Sequence, residues 1–135
     1  MIEYAGDDKQ MLAESIQVCQ WFKELGADFI NVSIGFNTPT ANIPWGPAFL
    51  APIAERVRKE SGLPVATAWG VDIPELANST IEKGQLDVVM VGRAHLANPN
   101  WTYIAAKALG IDRPAWVLPA PYAHWLERYT PAGAQ

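Results

Sequence analysis

Three short apolar runs, DFINVSIG (28–35), LPVATAWG (63–70) and LDVVMVG (86–92), each closed by a glycine, constrain this chain more than any other feature. Each is too short for a typical helix and apolar on consecutive positions, the mark of a strand covered on both faces, as in parallel sheets. The segments around them carry helical spacing. From Lys9 to Leu25, apolar Leu12, Ile16, Cys19, Phe22 and Leu25 recur at steps of three and four, up to Gly26. A second helix is expected from near Pro47 to Ser61-Gly62, with Leu50, Ile53, Ala54 and Val57 on one face. A third opens at Asp72 and Pro74 and carries Leu76, Thr80 and Ile81. A fourth follows Asn98-Pro99, with Trp101, Ile104, Ala105 and Ala108 inward and Gly110 as its cap. Between the first strand and the second helix, FNTPTANIPWGP (36–47) is too proline-rich for regular structure, and loops of that length are often functional.

Strands alternating with helices imply an α/β fold with parallel pairing through right-handed crossovers. Three strands apolar on both faces need neighbours at both edges, and none has the polar character of an edge. A closed eight-stranded barrel takes about 250 residues, so 135 residues correspond to about the last three strand–helix units of a TIM (β/α)8 barrel, the C-terminal part of one domain.

A tail (111–135) completes the chain. Trp116, Tyr122, Trp125 and Tyr129 lie on it with Arg128, and Pro119 and Pro121 are expected to hold it extended. Aromatic residues and arginine are enriched at interfaces, which favours a homo-oligomer contact over cover for the tail's own subunit.

The remaining composition serves mainly to exclude. A net charge of −4 without a basic run argues against nucleic-acid binding. No stretch reaches the length of a membrane helix, and the start, MIEYAGDDKQ, lacks a leader pattern, so a cytoplasmic chain is expected. A lone Cys19 and two distant histidines, His95 and His124, form no metal-binding spacing. Cys19 is expected to be buried structure, His95 a hydrogen-bonder at a helix start and His124 a packing residue of the tail. Asp7 and Asp8 read as solvated surface.

If the second and third strands are the last two of a barrel, a phosphate site falls on Gly70, Gly92 and Arg93. Glycine lets backbone N–H groups approach an anion, a helix N-terminus adds its dipole, and a guanidinium clamps two oxygens. On spacing alone the alternative stands beside it: the glycines make tight turns and Arg93 pairs with a carboxylate.

DVVMVGRAHLANPNW, AAKALG and LPAPYAHWLERY resemble the C-terminal end of the old yellow enzyme family of FMN-dependent ene-reductases, in its bacterial xenobiotic-reductase branch. SIGFNTPTANIPWGPAF and LPVATAWG are similar to that branch's sixth and seventh strands and their loops, so the likeness runs from Ile2 to Tyr129. It implies that Gly70, Gly92 and Arg93 hold the FMN phosphate. It also implies that Trp69 and Trp125 wall the substrate pocket, Trp125 from a neighbouring subunit. The implied chemistry takes a hydride from NAD(P)H and delivers it to an activated C=C bond. The residues that bind the carbonyl and donate the proton in that family come from earlier strands, so no catalytic residue is assigned here and the chain alone is expected to be inactive. Two rivals remain on the residues alone, a non-redox phosphate-binding partial barrel and a non-catalytic assembly fragment.

Overall fold

The computed structural model describes residues 2–35 and 38–133. The first two positions of the expected loop, Phe36 and Asn37, lie outside them. Two compact units divide the chain, Met1–Asp72 with Leu76–Val91, and Ile73–Glu75 with Gly92–Gln135.

The larger unit contains α1 (Asp8–Glu24), β1 (Ile30–Val32), α2 (Ala51–Ser61), β2 (Val65–Thr67), most of α3 (Pro74–Glu82) and β3 (Val88–Val89). The strands form one parallel sheet in the order β1-β2-β3, with Ile30 opposite Val65 and Ala66 opposite Val88. This mixed α/β arrangement is compatible with part of a barrel.

Local chemistry sets the ends of α1. Asp7 accepts the N–H of Gln10 at 3.0 Å, the usual job of an N-cap aspartate. Asp8 accepts from the N–H groups of Glu3 and Tyr4 at 3.2 and 2.8 Å. These two carboxylates are therefore structural rather than merely solvated. At the other end Gly26 takes φ +91°, donating to Lys23 O at 3.0 Å while Ala27 donates to Phe22 O at 2.9 Å. Those two bonds satisfy the carbonyls that a helix end leaves open.

Leu12, Ile16 and Cys19 of α1 meet Ala51, Ala54 and Val57 of α2, Val32, Val65, Val71 and Leu86 in the core. Burial raises the Cys19 thiol pKa, as befits an inert packing residue. Phe22 and Leu25, expected on the same face, are exposed. Phe22 instead lines a groove of about 550 Å³ beside β1, with Val18, Phe29 and Ile30.

Only β2 is covered on both faces. Its three residues are fully buried, whereas β1 buries Val32 alone and β3 leaves Val88 half exposed. The expectation of three doubly covered strands thus holds for the middle one. The outer two lie at sheet edges among the described residues, so their apolar side chains have fewer neighbours.

Two polar devices pin β2. Thr67, fully buried, donates its hydroxyl to Val32 O at 2.8 Å. Asp87 accepts from the N–H of Val65 at 2.9 Å and from Arg58 Nε at 2.8 Å, tying β2, the entry to β3 and α2 together.

In the smaller unit, α4 (Arg93–Ala97) and α5 (Trp101–Ala108) precede a 3₁₀ turn (Pro114–Val117) and α6 (Ala120–Leu126). The expected fourth helix is α5, starting after Asn100, and the buried pair is Ala105 and Ala106, with Ile104 half exposed. The tail is not extended. Pro121 sits in the first turn of α6, where a helix has no use for the missing N–H, so the prolines start a helix instead of preventing one. The 3₁₀ turn packs on α5 and on α6, burying Ala115 and Ala123. Arg113 stacks over Trp116 at 4.6 Å and pairs with Glu127 at 2.7 Å, which holds the Glu127 carboxyl below its usual range.

The Arg58 hydrogen bond, foremost, also holds the Asp87 pKa below the ordinary carboxylate value. A depressed folded pKa stabilises the fold above the unfolded aspartate value of about 3.9, and the contribution disappears as pH falls through the folded value. Replacing Asp87 with Asn should cost about 1 kcal/mol at neutral pH, a modest figure because both partners remain partly in water. Denaturant melts should show the gap between the two proteins closing as pH falls below the unfolded aspartate value and through the lower native one; a gap unchanged at low pH would mean that the charge plays no part.

Candidate functional site

The residues singled out by sequence divide between the two units: Trp69 and Gly70 in the larger, Gly92, Arg93 and Trp125 in the smaller.

Trp69 and Gly70 follow the C-terminal end of β2, and both adopt left-handed backbone, at φ +69° and +68°. For a bulky side chain this conformation costs on the order of 1–3 kcal/mol and persists only where surrounding contacts hold it. Those contacts come from the loop after β1. Trp45 packs on Trp69 with ring centroids 5.5 Å apart and planes tilted by 58°, and Phe49 meets Trp45 edge-on at 5.4 Å. Tyr4, at φ +55°, lies 6.4 Å from Phe49. Ala48, a third non-glycine residue at positive φ, donates its N–H to Gly70 O at 3.0 Å. Burial, ahead of the Asp8 charge, raises the Tyr4 hydroxyl above its ordinary pKa.

A Cβ at position 70 would lie 2.9 Å from Gly46 O and 3.0 Å from Ala48 N. Close approach of the two loops, together with positive φ, therefore accounts for glycine at 70 without any ligand.

Gly92 differs. It is the N-cap of α4 at φ −101°, and a Cβ there would meet nothing within 4 Å. Open space, a helix start and the exposed side chain of Arg93 as first helical residue form the kind of end at which N–H groups and a guanidinium can meet an anion. These residues fit a phosphate group. His95, two residues on, donates its backbone N–H to Gly92 O at 2.9 Å and sets its ring edge against Trp101 at 5.8 Å.

On α6, Trp125 is 73% exposed, the most open of the large aromatic rings among the described residues. His124 packs edge-on against it at 5.4 Å. Tyr122 and Tyr129 are also exposed. Among the described residues no group of three His, Cys, Asp or Glu is placed to hold a metal ion, and no helix is long and apolar enough to cross a membrane.

Sequence reasoning missed Tyr4, Trp45 and Phe49. Their signal was an aromatic pair, Trp45 inside the proline-rich loop and Phe49 just after it, where helical or strand periodicity has little to say.

No protein-family model matches the chain. Over 89 residues, 66% of the chain, it is 38% identical to an NADPH dehydrogenase of Geobacillus thermodenitrificans, covering 26% of that protein. Over 108 residues, 80% of the chain, it is 32% identical to an NADPH dehydrogenase of Halalkalibacterium halodurans, covering 31% of it. An NADH oxidase of Thermoanaerobacter brockii is 32% identical over 94 residues, 14% of its length. The chain thus spans about a quarter to a third of the NADPH dehydrogenases that it matches.

Replacing Gly70 with Ala should destabilise the fold by about 1–3 kcal/mol, the range for overpacking, with no flavin present. The same change at Gly92 should stay within about 0.5 kcal/mol. Thermal melts of both variants check this; equal stability would show that the loops can move apart at no cost.

Proposed function

We propose that this chain, a partial homologue of the NADPH dehydrogenases of the old yellow enzyme family, is the phosphate-anchoring part of an FMN-dependent, NAD(P)H-oxidising barrel. The observation that supports it most is the open N-terminus of α4, with Gly92 as its cap and Arg93 in its first turn, directly after β3. Relatives named NADPH dehydrogenase and NADH oxidase favour this reading over a non-redox partial barrel.

FMN, when bound, supplies hydride transfer between NAD(P)H and an acceptor. The chain's own residues bind and orient. Backbone N–H groups at Gly92 and in the first turn of α4, together with the Arg93 guanidinium, would hold the phosphate. Gly70 keeps the turn after β2 close against Gly46 and Ala48. Trp69 forms one wall of the acceptor pocket, and Trp125 closes that pocket from a second subunit, keeping water from the reacting atoms. The acceptors are α,β-unsaturated carbonyls and related xenobiotics.

Arg93→Ala should weaken FMN binding by about 1.5–3 kcal/mol, the range for a hydrogen bond to a charged group. Arg93→Lys should fall between, since lysine keeps the charge and loses the planar fork. Dialysis followed by flavin fluorescence reads the retained fraction, and full retention by the alanine variant would remove Arg93 from the site.

Trp125→Ala should weaken dimerisation and raise KM for bulky enones more than for small ones, with flavin content unchanged. Sedimentation and kinetics on one sample test both parts. A fully dimeric variant with equal kinetic changes for both substrates would mean that Trp125 serves its own subunit only.

A further inference from the structure

Helix α1 carries two apolar stripes, and the core uses one of them. Leu12, Ile16 and Cys19 enter the core. Met11, Ser15, Val18 and Phe22 recur at the same steps of four and three, about 100° further round the helix. They face the groove of about 550 Å³ that Phe29 and Asn31 line from the strand side. Val18, Phe22 and Phe29 leave 37%, 49% and 42% of their surfaces open, and large apolar side chains gathered in one exposed patch mark a surface that something else covers.

The strand beside them has an open side too. β1 ends the sheet order among the described residues. Ile30 donates its N–H to Pro64 O at 3.0 Å, toward β2. Asn31, the next residue, therefore turns its N–H and C=O the other way, to the outer edge. One groove thus offers a sheet edge that can take a strand and a helix face that can take a helix. A strand alone would leave Phe22 open, and a helix alone would leave the edge unpaired. A strand–helix unit does both, as β2 and α2 already do on the opposite flank, where β2 pairs with β1 and α2 packs on α1. Material for such a unit exists in the relatives, since the matched segments make up only 26% and 31% of two NADPH dehydrogenases.

Resting on the reading of the chain as part of a barrel, we propose that the groove between α1 and the outer edge of β1 is the docking surface for a further strand–helix unit. That unit belongs to the portion of an NADPH-dehydrogenase-like protein that the matched segment does not span. Its strand runs parallel to β1 and exchanges backbone bonds with Asn31. Its helix covers Val18 and Phe22 with apolar residues at steps of three and four, and brings a basic residue to Glu14 on the groove's lining.

The probe is about the N-terminal two thirds of the Halalkalibacterium halodurans NADPH dehydrogenase, of which the match takes 31%, co-expressed with the tagged chain. It should co-purify with the chain in equal amounts, and hydrogen exchange at Asn31 should slow in the complex. Phe22→Asp should lower the recovered complex by about ten-fold or more, the loss of a buried apolar anchor, and Phe22→Leu should keep it. Neither change should lower the melting temperature of the chain alone. If no probe co-purifies, if Phe22→Asp recovers as much as the parent chain, or if Asn31 exchanges as fast in the complex as outside it, the proposal is overturned. A concentration-dependent dimer of the chain alone that protects Asn31 overturns it in favour of a second copy. A lower melting temperature for Phe22→Asp alone means that Phe22 already serves its own unit, with the same consequence. Flavin separates this test from the reading above: a complex that retains no FMN keeps the docking surface and removes the flavin reading, whereas a failed complex leaves Arg93 to its own test.

Discussion

The burial of β2 is the condition on which the rest of the larger unit depends. Val65, Ala66 and Thr67 have no exposed surface, so every polar group on that strand must find a partner inside the protein. The ladders to β1 and β3 satisfy much of this requirement. The Asp87 carboxylate meets the N–H of Val65, and the Thr67 hydroxyl gives its proton to Val32 O. No buried side-chain nitrogen or oxygen among the described residues lacks a hydrogen-bond partner. Fixing β2 this firmly also fixes where the chain leaves it, and Trp69 and Gly70 stand just past that exit.

What happens at the exit is a contest between local preference and packing. Trp69 and Ala48 adopt positive φ against their intrinsic preference, and each belongs to a loop locked onto the other. Such strain survives only if the surrounding contacts over-determine it. Here they do so twice, through tilted and edge-on ring contacts and through the Ala48–Gly70 backbone bond. The smaller unit is held by different means. Alanines at 105, 106, 115 and 123 let short helices approach closely, and Arg113 joins the 3₁₀ turn to α6 through Glu127 while lying over Trp116. Trp116, Tyr122, Trp125 and Tyr129 stay largely exposed, while Trp101 and Tyr103 are half-buried.

Much of the fold was legible because periodicity carries it. The four amphipathic segments and three apolar runs appear where spacing puts them, within a few residues, since a helix or strand that buries one face must repeat its apolar positions at its own period. Gly26 and Gly62 mark helix ends for a purely local reason, their left-handed φ. The tail was misread for a similarly local reason. Pro119 and Pro121 were taken to oppose helix, yet proline opposes only a helix interior and favours the first turn.

The amino-acid sequence by itself determined the order of the three strands and the longer helices and the parallel α/β class, because each follows from residues adjacent in the chain; the short α4 at Arg93–Ala97 was not among the helices that spacing predicted. Only the tertiary structure decided why position 70 must be glycine, which strand is buried on both faces, that Asp87 reaches Arg58, and that Trp45 stands behind Trp69. Arg58 and Asp87 are 29 positions apart, and no pattern within one segment encodes a partner in another. Such contacts exist only once the helices have brought the strands side by side and the loops at their ends compete for the same space.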